Sequence, residues 1–137
     1  MLKIKTDSPF EEKGSYSRAV AVGDWIFVSN TAGRNPQNKE ISPDLREQTL
    51  QVFANIENAL KAANASLNDV IMSRVFIQKP ENTATVMDII GEKFRGINPA
   101  TTVTCPPLGS TIYEVEIEVT AFRGAGKADW KYINTGE

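Results

Sequence analysis

Residues 100–122 read ATTVTCPPLGSTIYEVEIEVTAF, two runs of strand-forming residues on either side of a Pro/Gly turn. In the second run apolar and polar residues alternate, the signature of a half-buried strand. Tyr113, Val115, Ile117, Val119 and Ala121 leave one face; Ile112, Glu114, Glu116, Glu118, Thr120 and Phe122 leave the other. The first set suits a core beneath helices. The second is a row of like charges, in a chain with no histidine to do acid–base work. On a solvated face their repulsion costs little. In a cleft closed by another surface, one carboxyl would see its pKa rise and could hold a water or exchange a proton. Alternation alone leaves both readings open.

Working outward, YSRAVAVGDWIFVSN (residues 16–30) reads as a hairpin turning at Gly23-Asp24, followed by a polar loop, TAGRNPQNKEISPD. Ser42 before Pro43 has the form of an N-cap with proline at the first helical position. Leu45, Val52, Phe53, Ile56, Leu60 and Ala63 then recur at helical spacing, which predicts an amphipathic helix over about 43–64. DVIMSRVFI is a third strand, stopped by Pro80. A second helix is expected over about 81–95, ended by Gly96 and Asn98-Pro99. The order is ββ-α-β-α-ββ, an α+β fold with one mixed sheet. Right-handed crossovers place both helices on one side of it. The other face must then be polar or be covered by a partner subunit.

The 137 residues suit one domain, 1–137, with a polar tail at 124–137. A net charge of −2, with no two basic residues adjacent, argues against nucleic acid as the main partner. The single Cys105 cannot form an internal disulfide, and no metal-ligand spacing occurs. The N-terminus turns acidic too early for a signal peptide, and no run of roughly 18 apolar residues could span a membrane. A cytoplasmic protein without cofactor or metal is the expectation. Mechanisms that need histidine are excluded.

Four blocks, SYSRAVAVGDWIFVSNTAG, EQTLQVFANIENALKAANASLNDVIMSRVFI, NPAT and EVEIEVTA, together resemble the Rid family, also called YjgF or L-PSP-like, over about residues 14–123. The resemblance implies a chorismate-mutase-like fold and a homotrimer with clefts between subunits. It implies that such clefts hydrolyse imines and enamines derived from amino acids to ketoacids and ammonia. In that family an arginine after PA clamps the substrate carboxylate, and a glutamate closing EIE handles the attacking water. Carried over, the glutamate is Glu118, a pocket tyrosine is Tyr16, and the SGQ-type loop is Ser29, Asn30 and Thr31. The arginine position is Thr101, which lacks both charge and fork geometry. Losing such a contact weakens binding by roughly 1.5–3 kcal/mol. The resemblance is therefore to branches without the arginine, which include deaminases of aminomuconate-type compounds.

Arg34, just after Gly33, is the candidate to restore a positive charge from another side of the cleft; the alternative is a solvated loop arginine. Cys105, beside the PA corner, is a further candidate binding residue, although a lone strand cysteine without a base reads rather as a small buried hydrophobe. Arg74 is expected to pair with Glu114 or Glu116. Trp25 and Phe27 are assigned to the core or to a trimer interface, and Trp130 and Tyr132 to a tail packed on a neighbour or left mobile. The functional expectation is a cofactor-independent deaminase or hydrolase of small imine, enamine or related carboxylate metabolites. The alternative is a ligand-binding or regulatory trimer without turnover. The endoribonuclease activity sometimes attached to the family fits poorly with an acidic chain lacking histidine.

Overall fold

A computed structural model describes residues 1–137. The chain folds as one α+β unit, in the order β1 (Leu2–Ile4), α1 (Pro9–Gly14), β2 (Ala19–Val22), β3 (Trp25–Ala32), α2 (Leu45–Ala62), β4 (Val70–Ile77), α3 (Thr83–Lys93), β5 (Ala100–Thr104) and β6 (Val115–Phe122). The six strands form one mixed sheet in the order β1-β2-β3-β6-β4-β5, with only β4 and β5 parallel. The β2–β3 hairpin turns at Gly23-Asp24 as expected, with Gly23 at φ +57°, where a side chain would be strained.

The helix-facing side follows from alternation. Val115, Ile117, Val119 and Ala121 of β6 join Ile26, Val28, Val75 and Ile77 in the core. Onto them α2 lays Val52, Phe53, Ile56 and Leu60, while α3 lays Val86, Ile89 and Ile90. Phe53 and Phe94 close the gap between the helices edge-to-face, with ring centroids 5.4 Å apart.

Several boundaries differ from the sequence reading. The N-cap of α2 is Asp44, whose carboxylate accepts from Glu47 N, so the helix begins at Leu45 and not at Pro43. Ser42 works one step earlier: its Oγ accepts from Asp44 N at 3.2 Å and donates to Glu47 Oε2 at 2.8 Å. Proline at position 43 thus shapes the approach to the cap. The second helix is shorter than expected, Thr83–Lys93, because Pro80–Asn82 forms a separate 3₁₀ turn. The strands flanking the Pro/Gly turn are not neighbours either: β4 lies between β5 and β6. A longer connection that crosses β4 replaces a hairpin.

The N-terminal segment adds two elements that were not foreseen. Strand β1 extends the sheet beside β2. Helix α1 is short, and its Glu11 is buried with its carboxylate accepting from Thr6 N at 3.0 Å and from Thr6 Oγ1. That charge-assisted anchor substitutes for a hydrophobic one.

The face opposite the helices is bare. Trp25, Phe27 and Met72 are 43, 46 and 42% exposed, so the two aromatics lie outside the core. Trp25 stacks on Phe27 and meets Phe122 edge-on at 5.0 Å. Three neighbouring strands thus present one apolar surface to solvent.

Candidate active site on the bare sheet face

The site grows from an irregularity in β3. Val28 pairs with Val119 and Thr31 with Ile117, so Ser29 and Asn30 together stand opposite the single residue Glu118. This is a β-bulge, a device that re-aims side chains beside functional sites. It is held from both sides: Ser29 Oγ donates to Ser17 O at 2.8 Å, and Thr31 Oγ1 donates to Ser29 O at 2.6 Å. Thr31 itself is buried. Ser29 and Asn30 therefore reach the bare face, while Thr31 serves as a brace.

Glu118 lies in a shallow concavity of about 300 Å³ whose lining includes Phe27, Met72, Arg74 and Thr120. Its carboxylate pairs with Arg74 at 3.3 Å, directly across from it on β4. The expected partner for Arg74 was Glu114 or Glu116. Cross-strand register decides otherwise, since Phe76, not Arg74, stands opposite Glu116. Glu114 precedes β6 and is occupied elsewhere, accepting from Asn82 Nδ2 at 2.9 Å with Lys79 Nζ 3.5 Å away.

Beside this lies a cluster whose arginine, Arg18, the sequence reading missed. Arg18 donates through Nη2 to Asn30 O at 2.8 Å, and its guanidinium carbon lies 5.9 Å from the centroid of the Tyr16 ring. Burial pushes the Glu116 carboxyl above the usual range, and the nearby Arg18 charge offsets part of that rise. Tyr16 is positioned by the unforeseen α1: Ser15 turns the chain at φ +55°, Tyr16 N donates to Glu11 O at 3.0 Å, and Lys5 Nζ donates to Tyr16 O at 2.6 Å. An arginine two residues after Tyr16, sharing its strand face with Val20, was the available signal.

The remaining sequence candidates are elsewhere on the chain. Thr101 pairs with Ser73, which faces the core, and the two hydroxyl oxygens are 2.7 Å apart. Thr101 Oγ1 also donates to Pro99 O at 3.0 Å, so its side chain leaves the face opposite to that of Glu118. Cys105 is exposed rather than buried; it follows β5, with Sγ 3.7 Å from Thr83 Oγ1. Arg34 donates to Lys39 O at 2.6 Å and to Tyr113 Oη at 3.0 Å, and stacks on the Phe10 and Tyr113 rings. It lines a separate polar groove of about 690 Å³ beside the start of α2, sharing no residue with the Glu118 concavity. That loop is fixed by α2. Asn55 Nδ2 donates to Ala32 O and Arg34 O, and a Cβ on Gly33 would lie 2.3 Å from Gln48 O, which only glycine avoids. In the tail, Trp130 and Tyr132 meet edge-to-face, and Asn98 Nδ2 donates to Tyr132 Oη.

No three His, Cys, Asp or Glu side chains converge to hold a metal ion, and no helix is long and apolar enough to cross a membrane.

Comparison with known proteins places these residues in context. The family model described as endoribonuclease L-PSP matches residues 6–123, starting at the Thr6 that anchors α1. A RutC family protein of Pyrococcus abyssi is 38% identical over 98 residues, covering 71% of this chain and 77% of that protein. A mouse protein named 2-iminobutanoate/2-iminopropanoate deaminase is 33% identical over 115 residues, covering 81% of this chain and 83% of its own. A crystal structure of a YjgF/YER057c/UK114 family member from Mycobacterium tuberculosis superposes with a TM-score of 0.81 at 30% identity, covering 88% of this chain and 98% of that one.

Proposed function

The chain belongs to the endoribonuclease L-PSP family, also called YjgF or RutC, and from that premise we propose that it is a cofactor-independent deaminase of small imine or enamine carboxylates. The observation that carries this reading is the bulge that sets Ser29 and Asn30 against Glu118 on an uncovered sheet face. A relative named as a 2-iminobutanoate/2-iminopropanoate deaminase supports the reaction class. Glu118 takes a proton from water as the water oxygen adds to the imine carbon, and the nitrogen receives a proton. The carbinolamine hydroxyl proton then passes to the amino nitrogen as the C–N bond breaks, releasing ammonia and leaving the ketoacid. Ser29, Asn30 and Tyr16 orient the substrate.

The reading includes a homotrimer. Trp25, Phe27, Met72 and Phe122 form an apolar surface suited to burial against another copy, which would exclude water from Glu118. Thr101 and Cys105, at the β5 edge, would reach such a cleft only from the neighbouring copy. Arg34 lies beside a different groove and would contribute only if a neighbour's cleft opened onto it.

The test generates imines in situ from several amino acids with an amino-acid oxidase and follows ketoacid release. Wild type should accelerate release and Glu118→Gln should not. Equal rates with and without wild type would refute turnover. A second reading, a ligand-binding trimer without catalysis, is favoured by one observation: the hydroxyl of Thr101 is held by Ser73 and Pro99 and brings no charge. Activity appearing only in Thr101→Arg would indicate an intact cleft whose natural ligand differs, and activity in neither form would favour the binding trimer.

A further inference from the structure

Arg18 and Asn30 each bury one polar atom without a partner: the Arg18 Nε–H has no acceptor, and Asn30 Oδ1 has no donor. They are the only buried side-chain nitrogen or oxygen atoms in the chain left unsatisfied. Folded proteins rarely leave such groups unmatched, so each asks for an explanation. Both belong to one cluster, tied by the Nη2 bond to the Asn30 main chain. Arg18 forms no ion pair, whereas Arg34 and Arg123 are committed through several hydrogen bonds. It has thus kept part of its fork of donors in reserve, beside the Tyr16 ring and within a strand of the bulge facing Glu118.

From this geometry we infer that Arg18 and Asn30 form the subsite that recognises the ligand's two polar ends, Arg18 the carboxylate and the Asn30 side-chain oxygen the N–H of the imine or amine. The inference rests on the proposed deaminase reading for its ligand class and goes beyond it in assigning the positive charge to the residue just before β2. A guanidinium presents adjacent N–H groups that match the two oxygens of a carboxylate, whereas an ammonium presents a point charge. The Nε–H is unpartnered but buried, so it becomes one prong of such a fork where the ligand displaces what covers it. An amide oxygen is an acceptor only, so it discriminates a nitrogen that carries hydrogen from a ketone oxygen. Together they distinguish an imino or amino acid from its ketoacid product while holding both by the carboxylate. Arg18 would take the place of the absent arginine at position 101, on the same sheet face as Glu118.

The test uses the whole protein and three stable probes: 2-oxobutanoate, its methyl ester and 2-aminobutanoate, with affinities read by calorimetry. Wild type should bind the two acids. Arg18→Gln should weaken both by about 10- to 100-fold, the loss of one charge-assisted contact, and should leave the ester unchanged. Arg18→Lys should fall between the two, since it keeps charge without the fork. Asn30→Ala should weaken 2-aminobutanoate and spare 2-oxobutanoate. Thermal unfolding and sedimentation of each variant separate ligand recognition from assembly. Wild-type affinity in Arg18→Gln, or no binding of either acid by wild type, would overturn the assignment. So would a variant that dissociates the oligomer yet keeps its affinity, because the orphan donor would then belong to a subunit contact. The hydrolase reading has its own readout: imine turnover that is indifferent to Arg18 overturns the subsite alone. Arg18-dependent binding without wild-type turnover keeps the subsite and removes the hydrolase.

Discussion

Ile117 and Glu118 are consecutive on β6 and lie on opposite sides of the sheet. Ile117 is fully buried beneath the helices, and Glu118 stands on the open face opposite Arg74. Every interior strand repeats this contrast. On the covered side, satisfaction is local and complete: aliphatic side chains interlock, and the polar Gln48 donates to Ser42 O and Ile112 O while accepting from Glu114 N. On the bare side it is incomplete, with exposed aromatics, an orphan guanidinium N–H and a carboxyl displaced upward in pKa by burial. One face stabilises the fold, and the other is left uncovered.

Four substitutions probe that contrast, in order of decreasing effect. Ile117→Ala should lower unfolding free energy by about 2–5 kcal/mol in a denaturant titration, because the cavity sits where neighbours cannot collapse. Gln48→Ala should cost about 1–3 kcal/mol, since it strands the Glu114 N–H and two carbonyls that join α2 to the entry of β6. A cost near zero would mean water takes over these bonds.

Glu116→Gln acts through pH. The folded protein holds the Glu116 proton more tightly than the unfolded chain does. Stability from this group is therefore fully present below the unfolded carboxylate pKa and declines as pH rises through the raised folded value. The variant has no such decline, so its stability relative to wild type should improve as pH rises through and above the ordinary carboxylate range. A constant difference across that range would contradict the burial of this carboxyl. The smallest effect belongs to Arg74→Gln, under about 1 kcal/mol, because its partner Glu118 and Arg74 itself are both substantially open to solvent. A loss as large as that of Ile117→Ala would show the bare face to be a second core.

Much of this was legible from residue order. The Gly23-Asp24 hairpin, the apolar stripe of α2 and the alternation of β6 each follow from a periodicity or a turn residue that acts locally. Errors appeared where a particular side-chain partner, rather than a periodicity or a turn residue, decided. Asp44 displaced Ser42 as the cap because the Ser42 hydroxyl is taken up by Asp44 N and the Glu47 carboxylate, leaving the Asp44 carboxylate to accept from Glu47 N. Helix α1 escaped notice because its hold on the chain is a buried carboxylate rather than an apolar stripe. Arg74 found Glu118 because register, unknown from sequence, set it there. The candidate site was half legible: Tyr16, Ser29, Asn30 and Glu118 share the bare face, while Thr101 leaves the other one and Arg34 opens onto another groove.

Residue order by itself determined which side chains of each strand share a face, since backbone pleating makes that choice every second residue regardless of context. It also determined that the chain would have two helices to cover one face of a sheet. Only the tertiary structure decided which strands are neighbours, because hydrogen-bonded pairing joins residues distant in sequence. The insertion of β6 between β3 and β4 put Glu118 opposite both Arg74 and the bulge, and the bulge brought Asn30 to Arg18.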